Sequence, residues 1–117
     1  MPYKVINTSN GRVLADRAEQ AASFFDRFRG LMGRARFQRG EGLLLEPCNA
    51  IHTFFLRVAI DAAFLDGDHR VIEAVAGLAP WRATRVIRGA RSVLELPAGT
   101  LAATLTSRGD ELTFELC

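Results

Sequence analysis

Residues 47–66 read PCNAIHTFFLRVAIDAAFLD. This stretch holds one of the two cysteines, one of the two histidines, a lone arginine, and an aspartate inside an apolar run. Ile60 to Leu65 reads as a short buried strand interrupted by Asp61. Asp66-Gly67-Asp68 follows as a hairpin turn, and Val71 to Val75 pairs back. Upstream, Ile51 to Phe55 reads as another strand. Pro47 separates it from the buried strand Leu43–Leu45 and puts Cys48-Asn49 at a turn. The middle of the chain is therefore a series of strands joined by tight turns.

The same pattern extends outward in both directions. Tyr3 to Asn7 is a β run, Asn10-Gly11 marks a hairpin tip, and Arg12 to Ala15 returns. Val93, Leu94 and Leu96 make a strand, and so does Leu112 to Leu116 after the Gly109-Asp110 turn. Helical spacing appears once over a long span. Asp16 can cap a helix from about Ala18 to Met32, with Ala21, Phe24, Phe25, Phe28, Leu31 and Met32 on one stripe. Pro97 can start a short second helix, Ala98 to Leu105. The fold class is mostly β (α+β): a small barrel-like, mainly antiparallel sheet with one main and one short helix. Closing the sheet removes exposed edges.

Composition sets the limits on function. With 117 residues the chain makes one domain, residues 1–117, large enough for a single core. Apolar residues are 49% and charged residues 24%, ordinary for a globule. The net charge of +2 is too small to demand a nucleic-acid partner. The arginines are nevertheless grouped: Arg27, Arg29, Arg34, Arg36 and Arg39, then Arg82, Arg85, Arg88 and Arg91. No apolar run approaches the ~20 residues of a membrane span. The N-terminus lacks the apolar core of a signal peptide, and two cysteines make no disulfide framework. Free thiols and a cytoplasmic location are expected.

The polar residues in apolar surroundings are the candidates for chemistry. Cys48 and His52, four apart, would lie roughly 13 Å apart on an extended strand, so only the Pro47 turn could join them. Together they would make a nucleophile with its base; apart, they are a buried thiol and a hydrogen-bonded imidazole, or ligand contacts. A metal reading lacks third and fourth ligands nearby. Asp61 and Glu95 each interrupt an apolar strand and must be paired or hydrogen-bonded there. They read either as a structural polar network or, with Arg57 and His52, as the lining of one cleft. The segment Gly77–Ser92 is long for a connection, and its Trp81-Arg82 offers an aromatic face beside a fork donor suited to carboxylate or phosphate. The chain carries no phosphate loop or hydrolase motif and names no cofactor.

Three blocks stand out together: Arg29-Gly30-Leu31-Met32 with Gly42-Leu43-Leu44; Ile51-His52-Thr53-Phe54-Phe55-Leu56-Arg57 with Ile60-Asp61 and Phe64-Leu65-Asp66; and Val93-Leu94-Glu95-Leu96-Pro97-Ala98-Gly99 with Gly109-Asp110. They resemble the domain of unknown function 192 family, widespread in bacteria and archaea. Cys48 before the second block and Pro80-Trp81-Arg82 resemble one branch of that family. Leu56 stands where a Met is usual. The resemblance implies a small barrel-like fold and no established activity. The residues favour a binding module for an anionic small molecule or peptide, with contacts drawn from Cys48, His52, Arg57, Asp61, Trp81, Arg82 and Glu95. The rival readings are a hydrolase or transferase using Cys48 or Asp61 with His52, and a nucleic-acid accessory protein using the arginine groups.

Overall fold

A computed structural model describes residues 2–21 and 36–117. Seven strands are found among the described residues: β1 (Tyr3–Asn7), β2 (Arg12–Ala21), β3 (Gly40–Leu45), β4 (Ile60–Leu65), β5 (Val71–Leu78), β6 (Ser92–Pro97) and β7 (Leu112–Leu116). One four-residue helix, α1 (Thr100–Ala103), follows β6. The strands form one sheet in the order β5-β4-β6-β3-β2-β1-β7. Every neighbouring pair is antiparallel except β2 with β3.

The sheet curls until its two edge strands approach each other. Arg70 and Glu111, just before β5 and β7, form an isolated bridge. Three backbone bonds reinforce the seam: Val71 N–H to Asp110 O at 2.8 Å, Gly109 N–H to Val71 O at 2.7 Å, and Leu112 N–H to His69 O at 2.9 Å. The result is a half-barrel stitched at one corner. No helix among the described residues is long and apolar enough to cross a membrane.

Burial explains the strand order. All six residues of β4 and all six of β6 are buried, so both strands are covered on both faces, and neither lies at an edge. The enclosed face draws on every strand, through Val5, Leu14, Leu44, Ala63, Val71, Leu94 and Leu112, and is plugged by Leu101 of α1. The outer face, with Leu43, Leu45, Ala62, Phe64 and Val93, is covered by Ile51 and Leu56 from one loop and Ile87 and Ala90 from another.

Two expectations are corrected. The main helix does not begin at Ala18, because Ala18 to Ala21 belong to β2 and pair in parallel with Gly42 to Leu45. Ala18 packs into the enclosed core and Ala21 into the outer one, as strand residues three apart must. Sheet pairing here overrides the helical preference of Ala-Glu-Gln-Ala. The rest of the expected helix, including Phe24, Phe25, Phe28, Leu31 and Met32, lies outside the described residues, as do Arg27, Arg29 and Arg34. The expected strand Ile51–Phe55 is a loop that meets the sheet's partner loop at one bridge, His52 to Ala83. Elsewhere the reading holds, with boundaries shifted: β5 runs on to Leu78, and the short helix is confined to Thr100–Ala103.

Asp61 ties these pieces together. It is fully buried on the enclosed face, and its carboxylate accepts three backbone N–H groups. Oδ1 takes Gly77 N–H at 2.9 Å, and Oδ2 takes Gly99 N–H at 3.1 Å and Leu101 N–H at 2.9 Å. Gly99 has no side chain to cap α1, so Asp61 caps it from across the sheet. Asp61→Ala should leave three N–H groups unpaired at the centre of the molecule. Urea unfolding is expected to show a loss of at least about 3 kcal/mol, given about 1–3 kcal/mol for each buried group left unmade.

Candidate functional site

The loop 51–56 and the loop 79–82 are held together by one side chain, Thr53. It is fully buried. Its N–H donates to Arg82 O at 2.7 Å, and its carbonyl accepts Trp81 N–H at 3.0 Å. Its hydroxyl donates to Ala79 O at 2.6 Å and accepts Arg82 N–H at 2.8 Å. Thr53 Oγ1 is thus inserted between the carbonyl and the amide that would otherwise close the turn Ala79–Arg82. The same residue opens a second turn, Thr53–Leu56, closed by Leu56 N–H to Thr53 O at 3.1 Å.

Both turns place an aromatic residue where glycine is normal. Phe55 has φ 68° and Trp81 has φ 62°, each at the third position of its turn. Pro80 fits the second position, where its fixed φ suits such a turn. Bulky residues in left-handed backbone are outliers that cost about 1–3 kcal/mol each and persist only where the surroundings hold them.

These turns present a row of rings to solvent. Phe54, Phe55 and Trp81 are 41%, 51% and 57% exposed. His52 stacks on Phe54 with centroids 4.8 Å apart, and Phe54 stacks on Trp81 at 5.8 Å. Phe55 meets Trp81 edge-on at 4.9 Å. His52 Nδ1 accepts Phe54 N–H at 3.2 Å, which leaves Nε2 on the exposed imidazole as its other polar atom. Arg82 and Arg57 flank the rings in sequence, and both are exposed.

The structure therefore brings His52, Trp81 and Arg82 into one shelf and adds Phe54 and Phe55, which sequence reasoning did not single out. Thr53 was missed as well. The available signal was the run His-Thr-Phe-Phe, which has no strand alternation and no helical period.

The other candidates lie elsewhere. Cys48 Sγ contacts Ala50 O at 3.2 Å, and no hydrogen bond between Cys48 and His52 occurs among the described residues. Cys48 and Cys117 are not bridged. Arg57 is exposed while Asp61 is bound by backbone alone, so the two do not pair. Glu95 stands opposite Ala62 on the outer face, whereas Asp61, the next residue along β4, points to the enclosed face. The sheet separates the two carboxyls, and they do not line one cleft.

Glu95 is 6% exposed, between Leu43 and Ala62, with no hydrogen-bonded partner among the described residues. Burial raises its pKa from 4.5 to about 7. Its uncharged form is therefore the one this setting favours.

Residues 5–114 match DUF192, a family described as uncharacterized ACR. The chain belongs to the DUF192 family. A UPF0127 protein of Thermococcus sibiricus is 34% identical over 96% of this chain and 75% of its own length. A UPF0127 protein of Pyrococcus furiosus is 34% identical over 92% of this chain and 95% of its own. A crystal structure from Novosphingobium aromaticivorans, of unknown function, has the same fold: TM-score 0.82 and 24% identity, over 97% of this chain and 84% of that one. Membership in DUF192 fixes the fold and leaves the activity to be argued from the site.

Two predictions follow from these side chains. Thr53→Val removes the hydroxyl and leaves Ala79 C=O and Arg82 N–H facing a methyl group. Chemical unfolding should show a loss of about 1–3 kcal/mol, with Thr53→Ser close to wild type. For Glu95, the folded pKa exceeds the unfolded one, so its contribution is complete below pH 4.5 and is lost as pH rises through about 7. The loss is on the order of 3 kcal/mol. Glu95→Gln should flatten that part of the stability–pH curve and be more stable than wild type at pH 8.

Proposed function

We propose that this DUF192 chain is a binding module. Its ligand is an anionic small molecule or peptide segment with a planar or apolar group that lies on the His52–Phe54–Trp81–Phe55 shelf. The observation that carries this reading is the paired backbone strain. Glycine at positions 55 and 81 would satisfy both turns at lower cost, yet two large rings are held there and left exposed. Strain of this kind collects at sites whose side chains have work to do. Exposed stacked rings offer large contact area at low entropic cost, and Arg82 and Arg57 supply charge for a carboxylate or phosphate. A cytoplasmic setting fits the two free thiols.

The enzyme reading loses its geometry, since Cys48 and His52 have separate partners. Stacked rings beside Arg82 would also suit an unpaired nucleobase, which keeps single-stranded nucleic acid as the second reading. The first is favoured because Arg85, the next arginine along, is committed to Glu73 at 3.2 Å.

Trp81 is the chain's single tryptophan, so its fluorescence reports on the shelf directly. A thermal-shift screen of anionic metabolites, acidic peptides and a short single-stranded RNA should find a stabilising compound among the first two classes. That compound should quench Trp81 in the wild type and bind Trp81→Gly at least tenfold more weakly. The melting temperature of the free Trp81→Gly protein should stay within a few degrees of wild type, because the turn loses its strain. A ligand that binds Trp81→Gly as tightly as wild type ends the reading, and RNA as the single hit moves it to the second.

A further inference from the structure

We propose a second binding site, separate from the shelf, for the phosphate of a small molecule that carries an apolar body. It lies in an open cleft of about 510 Å³ between loop 85–89, β5 and the turn at Arg108. Three arginines reach this cleft from two distant segments: Arg85 and Arg88 from the loop, and Arg108 from the turn before β7. Of the two acids at the cleft, Glu73 is ion-paired and Asp66 has one oxygen committed to the backbone. Glu73 is paired with Arg85 at 3.2 Å. Asp66 Oδ1 accepts the N–H groups of Asp68 and Arg70, each at 2.9 Å.

Arg88 and Arg108 are left over. Neither has an ion pair or a side-chain hydrogen bond among the described residues, and both are exposed. Two free guanidinium forks at one cleft suit an anion with more than two acceptor oxygens. A carboxylate offers two oxygens, which a single fork fills; a phosphate monoester offers three terminal oxygens and nearly two charges. The remaining lining is apolar, from Ile72 and Ile87. Gly89, at φ 88°, brings the loop close to β5: a Cβ there would stand 3.6 Å from Ile72 Cδ1. The cleft is larger than inorganic phosphate needs, and its apolar part gives the rest of the ligand a place to lie. The every-third-residue arginines of the sequence are thus divided, Arg82 going to the shelf and Arg85 and Arg88 to this cleft.

Calorimetric titration of the full chain with phenyl phosphate, inorganic phosphate and benzoate tests the assignment. Phenyl phosphate should bind at least tenfold more tightly than either of the others. The double variant Arg88→Ala/Arg108→Ala should lose tenfold or more in phenyl phosphate affinity, both alone and in the Trp81→Gly background that removes any binding at the shelf. Both arginines are exposed, and thermal unfolding of the double variant verifies that it folds. Arg88→Lys/Arg108→Lys keeps charge without the fork and should fall between the two. Absent phenyl phosphate binding, wild-type affinity in the alanine double variant, or benzoate binding as well as phenyl phosphate overturns the site. Equal affinity for inorganic phosphate removes the apolar body from the proposal, and full affinity in the lysine variant removes the fork.

Discussion

A carboxylate sealed from water has to find its hydrogen bonds inside the protein, and Asp61 finds all three on the main chain. Each bond comes from a different place: the bend of β5 at Gly77, the exit from β6 at Gly99, and the first turn of α1 at Leu101. One side chain at the middle of the sheet thereby fixes where β5 turns and where the helix that closes the enclosed core begins. An apolar residue of the same size would leave those amides without partners. The arrangement needs no cation, which is why Arg57, four residues earlier, is free to remain at the surface.

The candidate site repeats this logic with a hydroxyl. Thr53 replaces a turn's own hydrogen bond with two of its own, and the replacement lets the turn carry Trp81 in a conformation that few residues enter. Loops 51–56 and 79–91 also bury Ile51, Leu56, Ile87 and Ala90 against the outer face. The loops are thus cemented underneath and strained on top. A rigid base below exposed rings is what a preformed recognition surface requires, because little side-chain order is left to be lost on binding.

Much of the sheet was legible from residues. Asp66-Gly67-Asp68 and Asn10-Gly11 read correctly as turns because their conformations are local and demand particular residue types. β4 and β6 read correctly because short apolar runs, each broken by only one acid, have few uses in a small domain. The extension of β2 did not. Leu14, Ala15 and Ala18 are spaced as on a helix because a register shift between Ala15 and Arg17 offsets the alternation, and Ala21 adds to the pattern from the opposite face; a bulge leaves no mark in the composition. That Asp61 and Glu95 must be buried was legible; their opposite fates were not, since a one-residue difference in register decides which face a side chain meets. The shelf was half legible. Trp81 and Arg82 stood out in a long loop, but nothing in His-Thr-Phe-Phe announces that its threonine closes a turn 26 residues away.

The pairing of β1 with β7 constrains the order of events when the chain folds. β7 lies on β1, and Asn7 is hydrogen-bonded to Asp110, 103 residues further along. The β1–β2 hairpin can form from a partial chain, but the other edge of β1 cannot be covered before β7. A ribosome-bound fragment lacking residues 106–117 would hold β1 with one side bare and Asn7 buried without Thr106 or Asp110 to receive its amide. Completion of this part of the sheet therefore waits for β7 and for a long loop closure. Until β7 arrives, β1 offers an unpaired edge, the kind of surface on which chains associate.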